Sequence, residues 1–234
     1  MIRRPPRSTL DRSSAASDVY KRQVLLRTYL VTALGMFDHP DGFEVLVRAT
    51  EEDVTEVKVK AVESLGLLAD RNPEMDMSVL KEYLTVLSKD RESVVRKMCA
   101  YVMGVVADED FIGDPPGRPG PLVMLLEDVN RDVTYIAATA LARMGSGEGL
   151  GTLNRMLTAN VDRPDILQEE EEGLQAFKAE TLVIGALQSM KQLITINNQV
   201  DMTSSLPHLE VLTRSKVLQI QVVAVEIKRL IENR

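Results

Sequence analysis

The chain has 234 residues, of which 44% are hydrophobic and only 4% aromatic, with no Trp. It holds no run of about 18 apolar residues, so no helix to span a membrane is expected, and the reading is of a soluble, cytoplasmic chain. The net charge of −7 disfavours nucleic acid as a partner, and a single Cys excludes an internal disulfide.

Met1 to Gln23, MIRRPPRSTLDRSSAASDVYKRQ, is rich in Arg and Ser and has no sustained apolar period. A native basic tail and an organellar presequence are two readings, the second opposed by Asp11, Asp18 and the Pro5-Pro6 pair. The third is favoured: the stretch resembles a peptide produced when sequencing-adapter nucleotides are translated. Residues 1–23 are therefore set apart as a non-native or disordered segment. Residues 24–234 are read as the domain, a fragment of a longer protein whose true N-terminus is missing. Leaving out the six bases and two acids of the first segment makes that domain more acidic, with a balance of −11.

Apolar periodicity starts at Val24 and predicts a helix over 25–37. The turn DHPDG, Asp38 to Gly42, follows, with Asp41 or Gly42 as the cap of a short helix carrying Phe43, Leu46 and Val47. EDVTEVKVKAVESLG, Glu52 to Gly66, is its partner. Asp70, Asn72 and Pro73 break the chain before helices at Ser78 to Leu87 and Ser93 to Val106. The loop Asp108 to Pro121, DEDFIGDPPGRPGP, reads as an inter-repeat loop with solvated charges, against the functional readings of a cation site or a partner-contacting excursion. Its Asp108, Glu109, Asp110 and Asp114 do not follow the spacing of an EF-hand loop. Pro121 opens the next helix, and Asp132 is the expected cap of one ending at Met144. The glycines 145, 147, 149 and 151 form a turn, Asn160 to Gln168 is a connection, and Glu169 to Glu172 open a long helix to Ile196. The last pair spans Ser205 to Thr213 and Val217 to Glu232.

These elements repeat. Gly35, Gly66, Gly104 and Gly145 fall into one column, with Ala186 as a fifth member. Nine residues before stand Leu26, Val57, Val95, Ile136 and Phe177; five before, Leu30, Ala61, Cys99, Ala140 and Thr181; one before, Leu34, Leu65, Met103, Met144 and Gly185. Steps of four keep such residues on one helix face, and the small ones let a neighbouring helix come close. Cys99, in the small column, reads as a core residue.

Eight residues before the column stand Arg27, Lys58, Arg96 and Lys178, and fourteen before, Glu52, Asp90 and Glu172. Arg131 and Ala137 break that pattern in the fourth unit. Helix pairs of this length, with an acidic turn, a V-[RK]-x-x-A core and a closing L-G, resemble HEAT repeats, and most of all the short bacterial HEAT-like kind also found in phycobilin lyases. The resemblance implies an all-α, right-handed α-solenoid of stacked antiparallel helix pairs, about five to six repeats. It implies that Glu52 and Lys58, Asp90 and Arg96, and Glu172 and Lys178 serve as a structural ladder between repeats.

No catalytic grouping is evident: His39 and His208 are far apart, and no Walker motif or nucleophile elbow is present. No catalytic, cofactor or metal residue is therefore assigned. A non-enzymatic protein-binding scaffold is the expected function, with bilin lyase-like or chaperone-like binding of an apolar ligand as the alternative.

Overall fold

A computed structural model describes residues 9–37, 40–72, 76–113, 117–158 and 169–233, with their side chains except those of 9–16, 40–41 and 169–177. Outside the described residues lie His39, Asp114, residues 1–8 of the adapter-like start and the Asn160 to Gln168 connection, as do the side chains of Glu172 and Phe177. Eleven α-helices occur among the described residues, and no strand. They divide into two compact units, residues 1–83 and 84–234.

In the first unit α1 (Thr9–Met36) packs on α3 (Thr55–Arg71), and α2 (Pro40–Ala49) packs on both. Helix α1 continues N-terminal of Val24 as far as Thr9, and its residues 17–23 are exposed. Pro40, rather than Asp41 or Gly42, begins α2, because the fixed φ of proline suits a first helical position whose N–H needs no partner. Helix α4 (Ser78–Leu87) carries the boundary between the units.

In the second unit α5 (Ser93–Val106) packs on α7 (Arg131–Arg143), α7 on α9 (Glu169–Ile196), and α9 on α11 (Leu218–Glu232). Helix α6 (Pro121–Met124) lies against α7, α8 (Leu150–Thr158) against α7 and α9, and α10 (Leu206–Leu212) against α11. Gly151 lies within α8, so the glycine turn is shorter than its sequence suggests. Antiparallel helix pairs stacked repeat on repeat make this an all-α fold of the α-solenoid class.

Helix starts fix the repeat register better than glycines do. The N-caps of α3, α5 and α7 are Val54, Glu92 and Asn130, which places them 38 residues apart. Three residues after each cap stand Val57, Val95 and Val133; seven after, Ala61, Cys99 and Ala137; eleven after, Leu65, Met103 and Leu141. All nine are buried. The twelfth position holds Gly66, Gly104 and Ala142, also buried.

The fourth unit is thus three residues out of the register expected from Gly145. Ile136 and Met144 are only half-buried. Gly145 follows the end of α7 with φ of 75°, a left-handed conformation that favours glycine after a helix. Gly35 and Gly104 do a different job. A Cβ on Gly35 would lie 2.5 Å from the Cβ of Ser64, and one on Gly104 would lie 2.6 Å from that of Ala140. Ser64 and Ala140 each stand two residues before the column of the next unit, at Gly66 and Ala142.

Two other columns also depart from expectation. In α1, Leu26 and Leu30 are exposed while Val31 and Gly35 face α3. In α9, Ala186 is buried but Thr181 is exposed, and Gly185 has open space where a Cβ would stand.

The proline-rich loop is better anchored than its charges suggest. Phe111, in a 3-10 turn, is 1% exposed, and Gly120 passes so close to the Phe111 carbonyl that a Cβ would meet it at 2.3 Å. Asp108 spends its carboxylate on the Asp110 N–H at 3.0 Å, capping that turn.

Candidate functional site

The repeat register places one set of side chains opposite the buried stripe. Lys97, Met98 and Tyr101 occupy that face of α5; Asp132, Tyr135 and Ile136 occupy it on α7; Leu182 joins them from α9. Together they line an open, mostly apolar groove of about 320 Å³. Lys97 and Met98 stand 38 residues before Tyr135 and Ile136, so the groove is one pair of columns read twice. Its residues carry two phenols, one ammonium and one carboxylate around an aliphatic floor.

Tyr101 is 47% exposed, although aromatic rings are among the costliest groups to leave in water. The Arg143 guanidinium lies over its ring at 5.8 Å from the centroid, which holds the ring without covering it. Asp132 sits in the first turn of α7. The side chain of Asn130 accepts the Asp132 N–H at 2.9 Å, so Asn130 caps α7 and Asp132 does not. These groups can hold an apolar segment and orient its polar ends. The groove was missed in the sequence because the three-residue slip separated the 97 and 135 columns.

The expected ladder residues lie elsewhere. Arg27 Nη1 donates to Glu52 at 3.1 Å. Arg96 makes a two-pronged contact with Asp128, Nε at 2.6 Å and Nη2 at 2.9 Å, while its Nη1 donates to the carbonyls of Asp90 and Arg91. Glu52, Asp90 and Asp128 each stand two residues before an N-cap. Asp128 is therefore the acid that the slipped register hid, three residues before Arg131. The Asp90 carboxylate accepts the Glu92 N–H at 2.8 Å. Lys58 is half-buried on α3 and Lys178 exposed on α9.

The Arg96 and Asp128 side chains are only 13% and 7% exposed. The hydrogen bond from Arg96 holds the Asp128 carboxyl below the usual Asp range, and the same bond raises the Arg96 guanidinium. Among the described residues no group of three or more His, Cys, Asp and Glu could hold a metal ion. None of the helices, again among the described residues, is long and apolar enough to cross a membrane.

No protein-family model matches the sequence, and no curated protein matches it. Solved structures do match. One is a crystal structure described as an engineered protein, 18% identical with a TM-score of 0.51, covering 88% of this chain and 90% of its own. Another is the complex of CpcE and CpcF of phycocyanin lyase from a Nostoc species, 14% identical with a TM-score of 0.51, covering 82% of this chain and 65% of its own. A designed armadillo repeat protein is 16% identical at a TM-score of 0.49. At these identities the likeness is one of fold, and the fold is that of HEAT-like helical repeats.

Proposed function

We propose that this HEAT-like repeat chain is a non-enzymatic scaffold whose groove between α5, α7 and α9 receives an apolar segment of a partner protein. The exposed Tyr101 beside Tyr135, Met98 and Ile136 carries this reading. Aromatic side chains dominate interface energetics because each offers a large contact area at low entropic cost. Lys97 and Asp132 at the rim would set the direction of the bound segment. Glu52, Lys58, Asp90, Arg96, Glu172 and Lys178 have a structural role in this account, as the ladder that joins neighbouring repeats. Residues 24–234 form the array, with 1–23 outside it, and the cytoplasm is the compartment it fits.

Selection from a random peptide library on the immobilised chain tests this. Peptides with aromatic or long aliphatic side chains should be recovered, and Ile136→Glu should weaken them at least about tenfold. Recovered peptides that bind the variant as well as the parent would contradict the groove assignment.

A second reading rests on the same groove, whose apolar lining with a few convergent polar groups also suits a small molecule. A bilin or similar apolar ligand, which the lyase likeness brings to mind, would seat there. Added bilin should then change its visible absorption with the parent chain and not with Ile136→Glu.

A further inference from the structure

The groove is filled at one end and open at the other. Cys99, Val102 and Met103 in α5, Ala137, Ala140 and Leu141 in α7, and Val183, Ala186 and Leu187 in α9 repeat one buried spacing. Met98, Ile136 and Leu182 each stand one residue before such a set, and all three line the groove. Three residues after them stand Tyr101, Thr139 and Gly185, which therefore share a second column. Along it the side chain shrinks from a ring to a hydroxyl to a hydrogen. The Tyr101 ring stands half in solvent, and the Thr139 hydroxyl folds back to donate to the Ile136 carbonyl at 2.9 Å. A Cβ on Gly185 would meet nothing within 4 Å among the described residues. The column is a wedge that opens at α9.

Folding alone gives Gly185 no reason to be glycine. It lies inside α9, a helix of 28 residues, where glycine is among the least favourable choices. Gly104 needs its missing Cβ for a helix contact and Gly145 its left-handed turn, but Gly185 has neither the close neighbour nor the positive φ. Gly151 also has open space, yet it is the second residue of α8 and not in a helix interior. The space over Gly185 continues the apolar floor at Leu182. Lys97 and Asp132 border the same groove with opposite charges, and neither is in an ion pair among the described residues. A peptide complements such a surface, because it can offer both signs of charge around an apolar side chain.

We propose, on the reading that the groove receives a partner segment, that Gly185 determines its specificity: the space left by the missing side chain takes an aromatic ring of that segment. An aromatic ring suits the open end because it fills a large apolar space with little entropy to lose. Peptides selected on the parent chain from a random library are the probe. Gly185→Gln should weaken them at least about tenfold, since its side chain occupies the open end. Its melting temperature should stay at or above the parent's, because a glycine leaves a helix interior. Gly151→Gln makes the same exchange in α8 and should bind as the parent does. Selection repeated on Gly185→Gln should lose the aromatic residues recovered on the parent.

Parent-like binding by Gly185→Gln, with binding lost in Ile136→Glu, would overturn the role of Gly185 and leave the groove standing. Parent-like binding by both variants, or no peptide recovered at all, would overturn the groove as well. An equal loss in Gly151→Gln, a lowered melting temperature for Gly185→Gln, or unchanged aromatic recovery would each contradict the assignment to Gly185.

Discussion

Two glycines in otherwise similar helices face opposite situations. Gly104 is where α5 meets α7, and a methyl group there would press on Ala140 at 2.6 Å from its Cβ and 3.0 Å from its Cα. Gly104→Ala should therefore cost about 1–3 kcal/mol, because the helices must part. Gly185 in α9 has nothing within 4 Å. Gly185→Ala should raise stability by about 0.5–1 kcal/mol, through better helix propensity alone. Chemical denaturation of the two variants checks both signs. Asp128 gives a third residue-scale case, since Asp128→Asn removes a charge from a nearly buried two-pronged contact. A loss of about 2 kcal/mol is expected at neutral pH. The native carboxyl is depressed, so its contribution is present above the ordinary Asp value near 4 and fades as pH falls through the lower native value. The melting-temperature gap between parent and Asp128→Asn should accordingly be full at pH 7 and close below about pH 4. The exposed Arg27 and Glu52 pair should matter far less.

At the scale of the element, what sequence made legible was the helix. Ser78–Leu87 and Ser93–Val106 match their expected bounds, because their apolar spacing and breakers agree. The repeat register was legible only where a glycine sits in a helix contact. Gly35 and Gly104 do so, but Gly145 is glycine for its left-handed turn, and a letter cannot distinguish the two causes. With the register slipped, Asp128 and the Tyr135 and Ile136 columns fell out of alignment, taking the groove with them. Phe111 was likewise hidden among acids and prolines. Phe111→Ala should cost about 3–5 kcal/mol, as for a fully buried aromatic residue, whereas a solvated loop would lose almost nothing. Ala61→Arg should lower thermal stability strongly, because it forces a charge into the buried stripe of α3.

For the molecule as a whole, the helical-repeat fold supports binding, and the groove is the place we propose for it. Tyr101 is expendable for folding: Tyr101→Ala should change stability by no more than about 0.5 kcal/mol, since half of the ring already faces water. A structural surface and a binding surface therefore make different demands on the same residues. Hydrogen exchange of the whole chain, with and without a library-selected peptide, separates them most directly. Slowed exchange on binding should concentrate in residues 97–101 and 132–136, and in α9 near Leu182. Protection spread elsewhere, with those segments unchanged, would contradict the claim that the groove is the binding site.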